Sequence, residues 1–555
     1  MNDGLKDKYR QAIIGILSAN PRVTRAVLFG SRAMGTFTTT SDVDIALFGD
    51  ELTLSDPARL IEAIDELPVP QQVDLLLHKS IRNKNLLRHI EKHGVEWYGR
   101  SLAMAGGWQM VPVANVAIPV LGGTPKRSVP EYWGGQVKWA SARDIASAGS
   151  RHLYQTQETI TEKGVKNSAA KILPKGTTVI TARGTVGALV QLGCDMAFNQ
   201  TCYGLTTRKG VSEDYLFYAL NGSLQRMHNL SYGTVFDTIT KKTFNQWIIP
   251  LPPLPEQRAI ARILGSLDDR IELNRRMNRT LEAVARAIFK SWFVDFLPVR
   301  AKAEGRPTGL PDDIAALFPD SLEDSELGEI PRGWKVKPLV EVINFKEGPG
   351  IRNWQYTNTD EGTRFINIRC IKNRDLDLQT ANRITDEEAF GKYAHFQLEK
   401  DDLVVSTPGT LGRFAIVRSE HLPLVLNTSV IRMRPISPNC TLPYLIGYVE
   451  TSLQWELETR ASGSVQRNFG PMHLKQISML VPAPAVLEAH NDIAEKWLRL
   501  SLHLRSESST LASLRDTLLP KLISGDLRLP AAALEELAAQ ADVSDAEKIV
   551  KGTNI

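Results

Sequence analysis

Apolar and polar positions divide the chain into stretches of different period. Over residues 5–19 the apolar positions follow helical spacing, and Asn20-Pro21 ends the run with a breaker pair. VTRAVLFG, from Val23, reads as a β-branched strand running into a Gly-Ser turn. SDVDIALFG (41–49) alternates as a second strand and QQVDLLLH (71–78) as a third. LLRHIEKHG predicts a helix, VEWYG a short aromatic end, and Ala105-Gly106-Gly107 a linker.

Beyond Gly107 the pattern changes to short β-like runs with glycine turns, up to the proline-rich LPPLPEQ, which can continue neither strand nor helix and sets up a new helix near Glu256. In that helix Ile260, Leu264, Leu267 and Ile271, then Leu281, Ala285, Ile288 and Trp292, fall on a 4-3 spacing once Asn274 and Asn278 fill the gap. That is a heptad seam with two polar positions, which fix register and partner orientation at some cost in stability. A connector broken by proline and glycine follows Phe296. A second β-rich stretch spans 333–484, and a second heptad-like helix carries Ile493, Trp497, Leu500, Leu504, Leu511, Leu514 and Leu518 before LLPKLISGDLRLP. The tail from 531 reads as an Ala/Glu-rich helix with a polar, disordered end.

The two β-rich stretches are copies. GWQMVPVANV matches GWKVKPLVEV, KWASARDI (138–145) matches RFINIRCI (364–371), and RGTVG (183–187) matches PGTLG (408–412). SYGTV (231–235) matches ASGSV (461–465), and FNQWIIPLPP matches LKQISMLVPAP, at offsets of about 226 to 230 residues. A period this long means that the repeating unit is a whole domain plus a helix. The expected organisation is 1–104, 107–255, a central helix 256–296, a connector 297–332, 333–484, a C-terminal helix 485–530 and a tail 531–555. Trp108 and Trp334 recur at one repeat position, and with Trp139 and Trp247 they are expected in the core.

Composition narrows function only slightly. The apolar fraction of 43% and charged fraction of 23% are those of an ordinary globular chain. The net charge of +4 lies wholly in residues 101–555, which permits nucleic-acid binding without demanding it. Cys194, Cys202, Cys370 and Cys440 show no metal-binding or disulfide spacing and read as reduced thiols of a cytoplasmic protein. No apolar run approaches a membrane span, and the polar start MNDGLKDKYR is unlike a signal peptide.

In the order of these blocks, above all PLPPLPEQRAIARILGSLDDRIELN and FPDSLEDSELGEIPRGW, the chain over about 107–530 resembles the specificity subunit of type I restriction-modification systems. The resemblance implies an α+β multidomain protein with two target recognition domains, each followed by a long helix, the helices paired as an antiparallel coiled coil. It implies double-stranded DNA, two methyltransferase (modification) subunits and restriction subunits as partners, with S-adenosylmethionine and ATP belonging to those partners. Independently, about 40 helical residues span roughly 60 Å, enough to place two domains on groove segments one turn or more apart. Diverged copies should read different half-sites, hence a bipartite, asymmetric sequence. DNA-contact candidates are polar residues in glycine-flanked loops: Arg143, Arg183, Lys241 and Lys242 in the first copy, and Arg369, Arg413, Arg467 and Asn468 in the second. Arginine grips guanine, asparagine pairs with adenine, and lysine serves phosphate.

The first hundred residues carry GSRAMG (30–35), SDVDIAL (41–47) and VDLLL (73–77), and so resemble a minimal nucleotidyltransferase of the polymerase-β-like superfamily, an α/β domain. In such enzymes the Gly-Ser turn receives nucleotide phosphate, with Gly30 allowing close approach and Ser31 bonding an oxygen. Asp42 and Asp44, two apart on a strand, share a face. With Asp74 on a neighbouring strand they would hold Mg²⁺ for a nucleoside triphosphate and act as the catalytic carboxylates. The alternative function is therefore an antitoxin-like nucleotidyltransferase that its DNA-binding half localises; a purely structural scaffold is a third reading. Residues 107–530 show no Walker loop, methyltransferase motif or His/Cys cluster.

Overall fold

The structure, a computed structural model, describes residues 4–20, 22–49, 52–53, 55–99, 107–230, 238–357, 361–407, 413–453, 456 and 470–530. The SYGTV, PGTLG and ASGSV motifs and the tail lie outside the described residues. Two compact units emerge, one of Met1–Ser266 with Asp516–Ile555 and the other of Leu267–Arg515.

In the first unit the N-terminal residues form a four-stranded sheet of β1 (Arg25–Phe29), β2 (Val43–Phe48), β3 (Val73–Leu77) and β4 (Val95–Gly99), in the order β3-β2-β1-β4. β1 is antiparallel to both its neighbours, whereas β2 and β3 are parallel. Parallel neighbours require a crossover, supplied by a helix, Asp56–Asp65, whose apolar stripe of Leu60 and Ile64 is too brief to stand out in the sequence. The expected first helix is Asp7–Ala19, burying Ile13 and Leu17 against Val23, Leu28, Ile45 and Leu47.

The first β-rich domain is closed by its own ends. Strand Gln109–Pro112 pairs antiparallel with Ile248–Leu251. Between them lie a five-stranded sheet, built on Ala117–Leu121, Cys202–Thr207, Thr178–Thr181, Leu189–Leu192 and His152–Leu153, and a three-stranded sheet of Ala197–Phe198, Trp133–Ala140 and Glu158–Ile160. One core joins Trp108, Tyr215, Tyr218, Phe244 and Trp247 to Ile260 and Leu264 of the long helix Leu254–Phe293, and to Leu519, Leu522 and Ile523 near the end of the long helix Pro484–Ser524.

The second unit repeats the plan. Lys335–Pro338 pairs with Ser478–Val481. A four-stranded sheet runs Ile343–Glu347, Val430–Pro435, Leu403–Ser406, Phe414–Ile416, and a three-stranded sheet runs Arg383–Ile384, Thr363–Phe365, Leu424–Val425. In both copies the central strand of the small sheet has one parallel and one antiparallel neighbour. The connector holds only the short helices Leu297–Ala303 and Asp312–Ala316 and a hairpin, Leu322–Ser325 with Gly328–Pro331. Trp139 is buried, as are Trp108, Trp247 and Trp334, so all four tryptophans are core residues.

Within this unit the two long helices run antiparallel. Asp268 meets Arg515 at 2.6 Å, Arg270 meets Glu507 at 3.0 Å, and Glu282 meets Arg505 at 2.5 Å, so partners descend on one helix as they ascend on the other. The seam on the first helix follows the expected spacing, with Asn274 wholly buried and Asn278 nearly so. On the second helix the spacing differs from expectation, because Leu500 and Leu514 are 40% and 46% exposed. The buried positions are His490, Ala494, Ser501 and Leu504, with Trp497 half-buried between them. Small and polar residues occupy the seam where the apolar pattern pointed one position away. Asn274 donates through Nδ2 to Glu507 Oε2 at 2.9 Å and to Ser508 Oγ at 3.3 Å, while its Oδ1 is buried without a hydrogen bond. A buried acceptor left unpaired costs about 1–3 kcal/mol. Asn274→Leu is accordingly expected to raise the thermal midpoint by a few degrees. A lower midpoint by calorimetry would show that the bond to Glu507 outweighs that cost.

Candidate functional site

The N-terminal carboxylates gather at one end of the sheet. Strand periodicity puts Asp44 of β2 level with Asp74 of parallel β3, so their side chains leave one face on adjacent strands. Asp42 is exposed on the segment just before β2. Gly30 has a φ of +74°, and a Cβ there would lie 2.4 Å from Asp44 Oδ2, so a glycine is needed both for the backbone and for the carboxylate packed against it. Ser31 is half-buried in the short helix Gly30–Met34.

Arg32, whose role sequence reasoning missed, is buried and ties this turn to the aspartate segment. Its Nε donates to the Ser41 and Asp42 carbonyls at 3.0 and 3.1 Å, and its Nη2 to Ser41 at 2.6 Å. An arginine directly after a Gly-Ser turn, ten residues before the first aspartate, is the signal that could have exposed it. Burial raises the Asp44 carboxyl above its ordinary range; Asp74 and then Asp42 add to the rise, while Arg32 and His89 oppose it. Among the described residues no three His, Cys, Asp or Glu side chains converge as a ready-made ion cage. In kind, the donor set fits a hard divalent cation, with carboxylate oxygens only and the Asp44 carboxylate seated against a bare glycine.

Of the DNA-contact candidates in the first domain, Arg143 is exposed in the first turn of Ala142–Ser147, a helix closed by a Ser141–Asp144 capping box. Arg183 is exposed in the turn between Thr178–Thr181 and Leu189–Leu192; Lys241 and Lys242 are exposed at the start of Lys241–Gln246. The Ile239 N–H donates to the Ala182 carbonyl at 3.0 Å, which brings the lysine segment beside Arg183. No backbone contact of this kind joins Arg143 to them among the described residues. In the second domain Arg369 is exposed on the turn Ile368–Cys370, and Arg413 is exposed before Phe414–Ile416. Both adjoin one small core that contains Cys370, Ile371 and Ala415. Arg467 and Asn468 lie outside the described residues. Trp354, 79% exposed on the turn Asn353–Gln355, drew no attention in the sequence. The four cysteines are free, and burial pushes Cys202 and Cys440 up to about 12, so they are inert thiols.

LPEQ, the motif most typical of the resemblance, is structural. Glu256 Oε2 accepts from Trp108 Nε1 at 2.7 Å, and Gln257 accepts from the Ser212 N–H at 2.9 Å while donating to the Pro252 carbonyl at 2.8 Å.

Duplicated β-rich domains each feeding a long helix, behind a nucleotidyltransferase-like sheet, define the class. Residues 106–283 and 331–495, together more than half of the chain, match the type I restriction modification DNA specificity domain, and the chain belongs to that family. Residues 11–102 match the polymerase beta nucleotidyltransferase domain. Among curated relatives, the MjaIX specificity subunit of Methanocaldococcus jannaschii is 23% identical over 76% of this chain and 94% of its own length. The HindI specificity subunit of Haemophilus influenzae is 26% identical over 54% and 72%. The S subunit of a type I restriction-modification system from M. genitalium aligns over 77% of this chain and 98% of its own, at 16% identity and a TM-score of 0.46. No described helix is long and apolar enough to cross a membrane.

The raised Asp44 has a consequence for stability. Because its folded-state value lies above the unfolded one, the folded domain holds that proton more tightly, and stability falls as pH rises from about 4 through the folded-state value. Asp44→Asn is expected to raise the N-terminal domain's thermal midpoint at pH 7 and to flatten its dependence on pH. An unchanged or lower midpoint at pH 7 would show that the ionised carboxylate is fully compensated.

Proposed function

We propose that the chain is the DNA-reading subunit of a cytoplasmic type I restriction-modification complex. It reads a bipartite, asymmetric sequence and scaffolds two methyltransferase subunits and the restriction subunits. The observation that carries this reading is the duplicated topology: both β-rich domains pair first strand with last and lead into a long helix, yet their exposed loop residues differ. Arg143, Arg183, Lys241 and Lys242 would face one half-site, and Arg369, Arg413, Arg467 and Asn468 the other, with arginine and asparagine reading base edges and lysine holding phosphate. Methyl donor and ATP would be bound by the partners. Exchanging residues 107–255 for the equivalent domain of a relative should replace one half of the methylated sequence and leave the other intact, read by methylation-sensitive sequencing. Simultaneous change in both halves would refute modular reading.

A second activity has its own support in the Asp44–Asp74 pair and the Gly30 cradle. In it Asp42, Asp44 and Asp74 hold Mg²⁺, and Gly30 and Ser31 receive the phosphates of a nucleoside triphosphate. The cation, when bound, would activate an attacking hydroxyl and offset triphosphate charge. Asp42→Ala or Asp44→Ala should abolish Mg²⁺-dependent nucleotide transfer and leave the methylated DNA sequence unchanged. Transfer that survives both substitutions would exclude this site, and loss of DNA recognition in well-folded variants would make the domain part of the reading machinery.

A further inference from the structure

A hairpin in the second unit ends in an unusual residue. Ile371–Lys372 and Asp375–Leu376 pair across a two-residue loop, Asn373-Arg374, whose φ values are 50° and 63°. Left-handed geometry at both loop positions favours Asn-Gly, so an arginine at the second position is held against its backbone preference. Strain of that kind persists where the surroundings over-determine it.

The side chain shows what holds it. Arg374 Nη1 lies 2.8 Å from Glu450 Oε1 and 3.1 Å from Glu282 Oε2, as an ion pair with each and without hydrogen-bond alignment to either, and its guanidinium sits 4.8 Å from the Phe414 ring centre. Glu450 also takes Arg286 of the first long helix at 2.9 Å, and Glu282, on that same helix, takes Arg505 of the second at 2.5 Å. Arg505 in turn donates to the Asn373 carbonyl at 3.0 Å. Asp375, the next hairpin residue, pairs with Arg418 at 3.2 Å, and Arg418 with Glu420, which accepts from Ser506 of the second helix. Charges alternate in sign along the whole path, and the recognition domain and both helices each contribute to it.

Packing beneath this network is incomplete. A half-open cleft of about 60 Å³, with Arg374 and Glu450 on its wall, lies among Phe289, Ile446, Trp497 and Leu498, and His490 lines it with a buried Nδ1 that has no hydrogen-bond partner. Apolar contact that is loosely packed tolerates small rotations, whereas buried charges of opposite sign lose much of their attraction if moved apart. Burial lowers the Arg374 guanidinium from its usual range, and its two glutamates oppose that shift, so the charge is sustained by these partners.

We propose that Arg374 is a positioning residue that fixes the angle of the second recognition domain on the helix pair, and thereby the spacer length the protein accepts. This rests on the bipartite reading above. One base pair of spacer moves a half-site by about 3.4 Å and turns it by roughly 35°, so an angle held by the network admits one length.

The test uses the full chain co-expressed with its methyltransferase partner, with methylated motifs and spacers read genome-wide. Arg374→Gly suits the left-handed turn and so keeps the hairpin, while Glu282→Gln leaves the hairpin untouched and removes the charge that Arg374 and Arg505 share. Wild type should methylate one spacer. Both variants should keep both half-sites and raise methylation at spacers one base pair shorter or longer at least several-fold relative to the preferred one, with Arg374→Lys intermediate, since it keeps a charge between the two carboxylates but loses the planar guanidinium beside Phe414. If wild type shows no bipartite motif, the underlying reading fails. If wild type holds one spacer and both variants hold it as strictly, whatever their thermal midpoints, the positioning role is overturned.

Discussion

Closure of each β-rich domain by its own first and last strands is the constraint on which the recognition half depends. Only two residues separate the closing strand Ile248–Leu251 from the long helix at Leu254, and two separate Ser478–Val481 from Pro484. With connections that short, the register of a four-residue ladder decides where a helix of 40 or 41 residues begins and which way it points. Pro252-Pro253 stiffens the first of these joints by fixing φ. Glu256 then ties the helix's first turn to Trp108, the residue just before the opening strand, and Arg528 lies over that ring, 4.2 Å from its centre. Trp108 is thus a packing residue whose single polar atom reports the helix position. Its counterpart Trp334 is equally enclosed, but its Nε1 has no hydrogen-bond partner. The second copy keeps the shape of the joint without the polar clasp.

Polarity within the helix seam has a related effect. Asn274, Ser501 and His490 are buried where a maximally stable pair of helices would carry leucine. Asn274 narrows the set of registers that satisfy its hydrogen bonds to Glu507 and Ser508, and ion pairs between Asp268 and Arg515 and between Arg270 and Glu507 flank the same stretch. Such pairs contribute little stability when exposed, but wrong registers would bring like charges together. Specificity of alignment therefore comes from residues that are individually poor at stabilising a core.

How much of this was readable beforehand depended on whether the deciding force is periodic. Three strands of the N-terminal sheet follow from β-branched and alternating runs, while Val95–Gly99 read only as a short aromatic end; the duplication follows from self-similarity. The first seam, Ile260 to Trp292, follows from 4-3 spacing even through its two asparagines. The second seam differs at Leu500, where the neighbouring Ser501 is buried instead, and at Leu514, which is exposed, because His490, Ala494 and Ser501 carry no apolar signal. The Asp56–Asp65 crossover was missed for want of length. At the sites, Gly30, Asp44 and Asp74 were legible because their chemistry is local to short motifs. Arg32 and Arg374 were not, because each acts through groups distant in sequence or through a backbone geometry that no side-chain pattern records.

The N-terminal site also shows a balance of forces that a purely structural domain would not need. Asp44 and Asp74 stand level on adjacent parallel strands, and Asp42 adds a third negative charge to the same end of the sheet. Their mutual repulsion, with burial, raises Asp44, while Arg32 spends its donors on the Ser41 and Asp42 carbonyls. Neutral residues at these positions would fold with less opposition, and a side chain at Gly30 is excluded both by its φ of +74° and by the Asp44 carboxylate that occupies its space. Sheet, turn and buried arginine together hold negative charge that Arg32 and His89 offset only in part near a glycine turn. Such an arrangement would be stabilised by any positive charge that entered it, so an affinity for a divalent cation, were one bound, and the cost of folding without it would have the same physical origin.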